Sequence, residues 1–246
     1  MKRWTAGLVA ALSAAILGVA PCLAASGGVA VAAGHRPLIR LREGTSSNWS
    51  GYAAHGGSFS SVSGSWIQPW VSCTSQNTYS SYWVGLDGYA TPTVEQLGTE
   101  GDCVSGQPSY YAWFEMYPRG GRVIAMKVRP GDHFQASVTA LGRGLFSLSL
   151  ADVSTGASFT TTQKLMAAQG ASAEVIVEAP SSGGVLPLAN FTRTDFTGAT
   201  ANGTALGGFG ANNLDPITMV NPYGMKATPS DFDATLSNFS VAWSAS

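Results

Sequence analysis

The stretch His133-Phe134-Gln135-Ala136-Ser137-Val138-Thr139-Ala140-Leu141-Gly142-Arg143-Gly144-Leu145-Phe146-Ser147-Leu148-Ser149-Leu150-Ala151-Asp152 decides the fold. Two strand-like runs, His133 to Ala140 and Leu145 to Asp152, alternate apolar with polar or small residues, and a glycine-bearing break separates them. A period of two puts every second side chain on the same face of a strand. Outward from this stretch the same signal recurs at Ser47 to His55, Phe59 to Ile67, Tyr79 to Leu86, Thr93 to Thr99, Tyr110 to Tyr117, Arg122 to Val128, Ser158 to Gln163 and Ala173 to Glu178, with further runs beyond Ala189. Clusters of Gly, Ser, Thr, Asn and Pro part them. About a dozen strands exceed one small sheet, so two packed antiparallel sheets are expected. The reading is an all-β chain, a large double antiparallel β-sandwich (concanavalin-like jelly roll), with one short helix at Thr162 to Gln169.

Charge is scarce. Of 246 residues, 13 are Lys or Arg and 14 are Asp or Glu, so 11% are charged, against about 25% in an ordinary soluble domain. With 45% hydrophobic residues, disorder driven by charge is excluded. So are the basic footprint of a nucleic-acid binder and a polybasic membrane-surface protein. Met1-Lys2-Arg3 followed by an apolar run from Ala6 to Ala20 reads as a secretory signal peptide. The run is short for a membrane span. The expected organisation is a signal peptide over 1–32, a short propeptide or linker over 33–44 and one domain over 45–246, secreted, monomeric and free of the membrane after signal removal. Residues 1–44 hold Lys2, Arg3, Arg36, Arg40, Arg42 and one acid, Glu43, so the remainder has 8 basic and 13 acidic residues and a formal charge of −5.

Cys73 and Cys103 are left as an even pair in a chain bound for an oxidising compartment, which predicts a disulfide. Closing a loop of about 30 residues is worth about 3 to 4 kcal/mol in the loop-entropy account. No C-x-x-C or H-E-x-x-H occurs, and His35, His55 and His133 stand apart in the sequence. No metal and no other cofactor is expected.

Three segments can carry chemistry. In Tyr111-Ala112-Trp113-Phe114-Glu115-Met116-Tyr117, alternation groups Tyr111, Trp113, Glu115 and Tyr117 on one face, an acid among aromatic rings suited to a groove or to a buried sheet face. In Ala173-Glu174-Val175-Ile176-Val177-Glu178, the two acids and Ile176 share a face that is either solvated or part of a cleft, and Pro180 ends the ladder just beyond Glu178. Trp83-Val84-Gly85-Leu86-Asp87-Gly88 leads into Thr93-Val94-Glu95-Gln96-Leu97-Gly98-Thr99, where a Gln amide can donate to a developing oxyanion or simply occupy a strand surface.

Together with Asn48-Trp49-Ser50-Gly51, these segments resemble, in order and spacing, the glutamic peptidases, or eqolisins, over roughly residues 47 to 240. The resemblance implies a secreted endopeptidase on a double β-sandwich that acts on polypeptides without a metal. The family's catalytic Gln precedes x-Gly, which falls on Gln96, and its catalytic Glu closes the A-E-x-I-x-E strand, which falls on Glu178. Trp49, Trp83, Asp87, Trp113 and Glu115 would line and support the groove. The better-known fungal members carry an Asp where Tyr111 stands, and Glu95 and Glu100 are additions to their pattern, so the sequence looks closer to a bacterial branch. Acidic conditions suit a carboxyl that works near its ordinary pKa. The alternative is a glycoside hydrolase or carbohydrate-binding sandwich using Glu115, Glu178 and the aromatic face. A non-catalytic adhesion domain would keep only the fold.

Overall fold

The computed structural model describes Met1, residues 34–42 and residues 44–246. The expected signal peptide beyond Met1 therefore lies outside the described residues, as do Ala33 and Glu43 of the expected propeptide. The strands in chain order begin with β1 (Arg40–Arg42), β2 (Thr45–Ser46), β3 (Trp49–His55), β4 (Ser61–Ile67), β5 (Ser81–Leu86) and β6 (Val94–Val104). They continue with β7 (Gln107–Tyr117), β8 (Arg119–Ile124), β9 (His133–Gly142), β10 (Leu145–Asp152), β11 (Ala157–Lys164) and β12 (Ser172–Glu178). The last are β13 (Arg193–Ala201), β14 (Thr204–Ala205), β15 (Leu214–Asn221), β16 (Gly224–Pro229) and β17 (Phe239–Trp243), with a 3-10 turn at Leu206–Phe209.

One sheet has the antiparallel order β15-β3-β12-β5-β6-β7-β8. The other runs β2-β15-β16-β17-β13-β4-β9-β10-β11, with β2 parallel to β15. Strand β15 belongs to both, pairing through Leu214–Ile217 with β3 and further along with β2 and β16. The sandwich expected from alternation is thus present. The stretch that opened the reading forms the paired strands β9 and β10, whose Phe134, Ala136, Val138, Phe146, Leu148 and Leu150 are buried. They meet Val84, Leu97, Phe114, Val175 and Val177 of the first sheet in one core.

The first sheet is buried on its other face too. Every residue of β5 and β12 is buried, and a second cluster of Trp49, Trp83, Trp113 and Ile176 packs there. Glu174 and Glu178 therefore lie inside the protein, which removes the solvated-face reading of that strand. The short helix expected at Thr162 to Gln169 is absent. Residues up to Lys164 extend β11 along β10, where the β-branched Thr160, Thr161 and Thr162 suit a pleated ladder.

Cys73 and Cys103 are bridged, with Cα atoms 5.3 Å apart. The bridge ties the segment before β5 to the far end of β6, where Thr78 and Cys103 also exchange backbone hydrogen bonds. Cys103 is fully buried. Replacing both cysteines by Ser is expected to lower stability by about 3 kcal/mol. Thermal melts of the double variant beside the parent check this, and an unchanged midpoint would assign the bridge no stabilising role.

Candidate active site

Register across four strands of the first sheet sets out the site. Glu178, Ser81, Glu100 and Tyr111 form one row across β12, β5, β6 and β7. Ile176, Trp83, Gly98 and Trp113 form the next, and Glu174, Gly85, Gln96 and Glu115 the third. Cross-strand partners point to the same side of a sheet, so the sequence's three chemistry-bearing segments and Gln96 converge on one face. Gly98 is what makes room in the middle row. A Cβ there would lie 2.1 Å from the Tyr82 carbonyl oxygen and 2.6 Å from Trp83 Cβ. That close approach gives the Gln96-x-Gly98 step a physical reason.

The indoles fix the carboxyl. Trp83 Nε1 donates to Glu178 Oε2 at 3.0 Å, Trp49 packs edge-on against Trp83 with ring centres 4.9 Å apart, and Trp113 Nε1 donates to Ser81 Oγ at 3.1 Å. Gln96 Nε2 donates to Glu115 Oε2 at 3.2 Å. Glu115 thereby sets which way the Gln96 amide faces. The other amide atom, Gln96 Oε1, is buried and has no hydrogen-bond partner among the described residues.

Across this face lies the segment before β1. Gly34 and Ser181 exchange backbone hydrogen bonds at 3.0 and 2.8 Å. His35 N donates to Glu115 Oε2 at 3.0 Å, and the His35 carbonyl accepts from Gln96 Nε2 at 3.2 Å. Arg36 N donates to Glu178 Oε1 at 3.1 Å, and the Arg36 carbonyl accepts from Trp49 Nε1 at 3.0 Å. Beyond it, Asn48 Oδ1 takes the Ile39 N–H at 2.9 Å, and Asn48 Nδ2 lies 3.5 Å from Glu178 Oε1. The His35 ring is fully buried, stacked on Trp113 at 3.5 Å and 9°. Its Nε2 is 3.1 Å from Glu100 Oε1, and its Nδ1 is 3.5 Å from Glu178 Oε2.

Burial dominates the electrostatics. It holds Glu178 well above the ordinary carboxyl range, reinforced by the nearby charge of Glu115 and opposed by the Arg36, Trp83 and Asn48 donors. It pushes Glu115 up to about 8, opposed by His35 and Gln96. Glu100 is held well above its usual range by burial and then by Asp102, which burial itself pushes to about 7. His35 is lowered to about 3 by burial.

Of the residues expected at the site, Gln96, Glu178, Trp49, Trp83, Trp113 and Glu115 meet on this face. Asp87 does not. It sits at the other end of β5, where its carboxylate accepts the backbone N–H groups of Gln169, Gly170 and Ala171 at 2.7, 2.9 and 2.8 Å. Its role there is to hold a loop. Burial and the neighbouring Asp87 raise Glu95 to about 9, and Glu174 is held well above its range by burial, with Asp87 and Glu95 adding to the effect. These acids form a second cluster around Asp87. Glu100, Asn48 and His35 were not foreseen. Glu100 was readable from alternation, since 96, 98 and 100 share a face. It stands opposite Tyr111, so the row in which fungal relatives carry an Asp keeps a carboxyl one strand away. Asn48 was visible only as the first residue of the Asn48-Trp49-Ser50-Gly51 motif, and His35 gave no local signal, because its partners Glu100, Trp113 and Glu178 are remote in sequence.

A sequence profile described as the Peptidase A4 family matches residues 47–240. Aspergillopepsin-2 of Aspergillus niger is 29% identical over 197 residues, which cover 69% of this chain and 70% of that protein. Among solved structures, scytalido-glutamic peptidase, determined with a transition state analog inhibitor, superimposes with a TM-score of 0.69 at 23% identity, covering 80% of this chain and 98% of that one. Aspergilloglutamic peptidase from Aspergillus niger gives 0.60 at 26% identity, covering 68% of this chain and 99% of that one. Among the described residues no helix is long and apolar enough to cross a membrane, and no group of three or more His, Cys, Asp or Glu side chains is placed to hold a metal ion.

Proposed function

The chain belongs to the Peptidase A4 family and is a peptide hydrolase, and from that premise we propose that Gln96 and Glu178 are its catalytic pair, in a secreted endopeptidase that works in acidic surroundings. One observation carries the assignment. A single peptide bond, His35–Arg36, has its carbonyl oxygen on the Gln96 amide and its nitrogen on the Glu178 carboxyl. Those are the two atoms of a scissile bond that gain charge or a proton during hydrolysis.

The chemistry follows from the geometry. An ionised Glu178 takes a proton from a water held between it and the unpartnered Gln96 Oε1, and the hydroxide adds to the substrate carbonyl carbon. The Gln96 N–H donates to the oxygen as it becomes an oxyanion. Collapse of the adduct breaks the C–N bond, and the protonated Glu178 gives its proton to the leaving nitrogen. Glu115 is a positioning residue, since its Oε2 holds the Gln96 amide in the donating orientation. Trp83 does the same for Glu178. With the segment before β1 in place, burial favours the protonated form of Glu178. Activation of water therefore draws on the ionised form of Glu178, which a bound peptide makes scarcer, and the protonated form is the one that donates to the leaving nitrogen.

The glycoside-hydrolase alternative needs Glu115 and Glu178 as a free carboxyl pair. Glu115 is instead occupied by the Gln96 amide, and Gln96 has no part in that chemistry. Gln96→Ala is expected to lower kcat on denatured casein by about 10²- to 10³-fold with KM little changed. Steady-state kinetics at several pH values check this. Full proteolysis by the variant would remove Gln96 from the mechanism, and hydrolysis of a β-glucan without proteolysis would favour the alternative.

A further inference from the structure

We propose that the bond between His35 and Arg36 is this enzyme's own first substrate, cut within the same chain to leave a mature protein that begins at Arg36. The inference rests on the assignment of Gln96 and Glu178 as the catalytic pair. It adds to that assignment a specific processing bond.

The segment is bound as a substrate would be, through its backbone. On the amino side of the bond, Gly34 pairs with Ser181 in an antiparallel bridge, and His35 N–H is taken by Glu115. At the bond itself the carbonyl faces Gln96 and the amide faces Glu178. On the carboxyl side, the Arg36 carbonyl is held by Trp49, and Leu38 N donates to the Gly88 carbonyl at 3.0 Å. Extended peptides added to a protein surface in this way gain affinity from main-chain hydrogen bonds and specificity from side-chain pockets. Pro37 contributes from the sequence, because the residue before a proline is pushed towards extended backbone. That puts Arg36 in the conformation the site holds.

The side chains agree with this placement. His35 is buried with its ring flat on Trp113 and between Glu100 and Glu178, whereas Arg36 is exposed. One side of the scissile bond is thus a defined pocket for a flat, hydrogen-bonding ring, and the other side opens to solvent. A linker crossing the face by chance would have no reason to present one peptide bond to both catalytic groups with the correct polarity.

Written as a reaction, one water is consumed. Glu178 accepts a proton from it, oxygen adds to the His35 carbonyl carbon, and the oxyanion is held by Gln96. The carbon–nitrogen bond then breaks, and Glu178 returns the proton to Arg36 N. The products are a carboxylic acid on His35 and an amine on Arg36, and transfer of the acid's proton to that amine leaves a carboxylate and an ammonium.

The test uses the full 246-residue chain, produced without export so that residues 1–35 are retained, and followed by intact mass and N-terminal sequencing at several pH values. The parent chain is expected to convert to a species beginning at Arg36, while Glu178→Gln keeps the bond intact. A His35→Ala chain, which loses the stacked ring, reports casein hydrolysis independently of processing, since the segment is held less firmly whether cut or not. If the parent keeps His35–Arg36 intact while His35→Ala digests casein, the inference is overturned and the catalytic pair stands. Processing of the parent at another bond, or the same new terminus in Glu178→Gln, also overturns it. Failure of both the parent and His35→Ala to digest casein or to process would overturn the assignment on which it rests.

Discussion

Glu178→Gln is expected to lower casein hydrolysis by about 10³- to 10⁴-fold, the upper range for a general acid–base group, with the folded state retained. The size of the effect comes from the double duty of one carboxyl. In the proposed mechanism it takes the proton that makes water nucleophilic and supplies the proton that lets nitrogen leave, and an amide does neither. The fold should tolerate the change because the carboxyl's burial is already unfavourable to its charged form, and Gln keeps an oxygen that can accept from Trp83 or Arg36. Glu174→Gln is the matched control. Glu174 lies on the same strand and the same face, four residues upstream, but its cluster is the one around Asp87 and Glu95. Its activity should stay within a few-fold of the parent, measured by initial rates on casein alongside thermal melts. Loss in Glu174→Gln with retention in Glu178→Gln would move the catalytic acid upstream.

The second large effect is on stability, and its direction is opposite to ordinary acid denaturation. Glu95 and Glu115 have folded-state pKa values of about 9 and about 8, and Asp102 about 7, all raised by burial. Their values in an unfolded chain are 4.5 for Glu and 3.8 for Asp. Between these limits the folded protein binds more protons than the unfolded one, so stability falls as pH rises. The contribution is complete below about pH 4 and is lost progressively towards pH 9. Each pKa unit corresponds to about 1.4 kcal/mol, so the loss is on the order of several kcal/mol and the melting midpoint should drop by about 10 °C or more. Melts of the Glu178→Gln chain from about pH 4 to pH 9 avoid self-digestion; a midpoint that climbs through this window would refute the account. A core held by apolar packing rather than ion pairs also has few carboxylate contacts to lose in acid. The buried carboxyls add that acid is the favourable side.

How far the sequence carried can be argued from particular strands. Alternation in His133 to Asp152 was decisive because β9 and β10 have one face in the core, and a half-buried strand writes its orientation into every second residue. The same logic weakened on β12. That strand is covered on both faces, so its acids could be read as solvated, and only the register with β5 set Glu178 opposite Ser81, within reach of the Trp83 indole in the next row. Gln96 became legible through its likeness to a family motif, although the steric cause, Gly98 against the Tyr82 carbonyl, lies between strands and has no trace in local pattern. Asp87 looked like a groove residue because it ends a tryptophan-bearing strand, but the three backbone N–H groups that claim it come from a loop more than eighty residues away. His35 is the extreme case. A lone histidine in a basic linker gains meaning only when the chain folds back over Trp113.

The segment that crosses the catalytic face also runs on, through β1 and β2, into the strand that carries Trp49. A ligand attached by so short a tether is presented to its site at millimolar effective concentration. That occupancy does not fall when the protein is diluted, so every external peptide competes against a partner it cannot outnumber simply by the enzyme being scarce. Cleavage alone would leave the new amino terminus on the same tether beside Glu178, and release would come from the lost grip of Gly34 and His35. Peptidase activity would then rise with a half-time independent of enzyme concentration, a first-order clock set by the chain's own geometry.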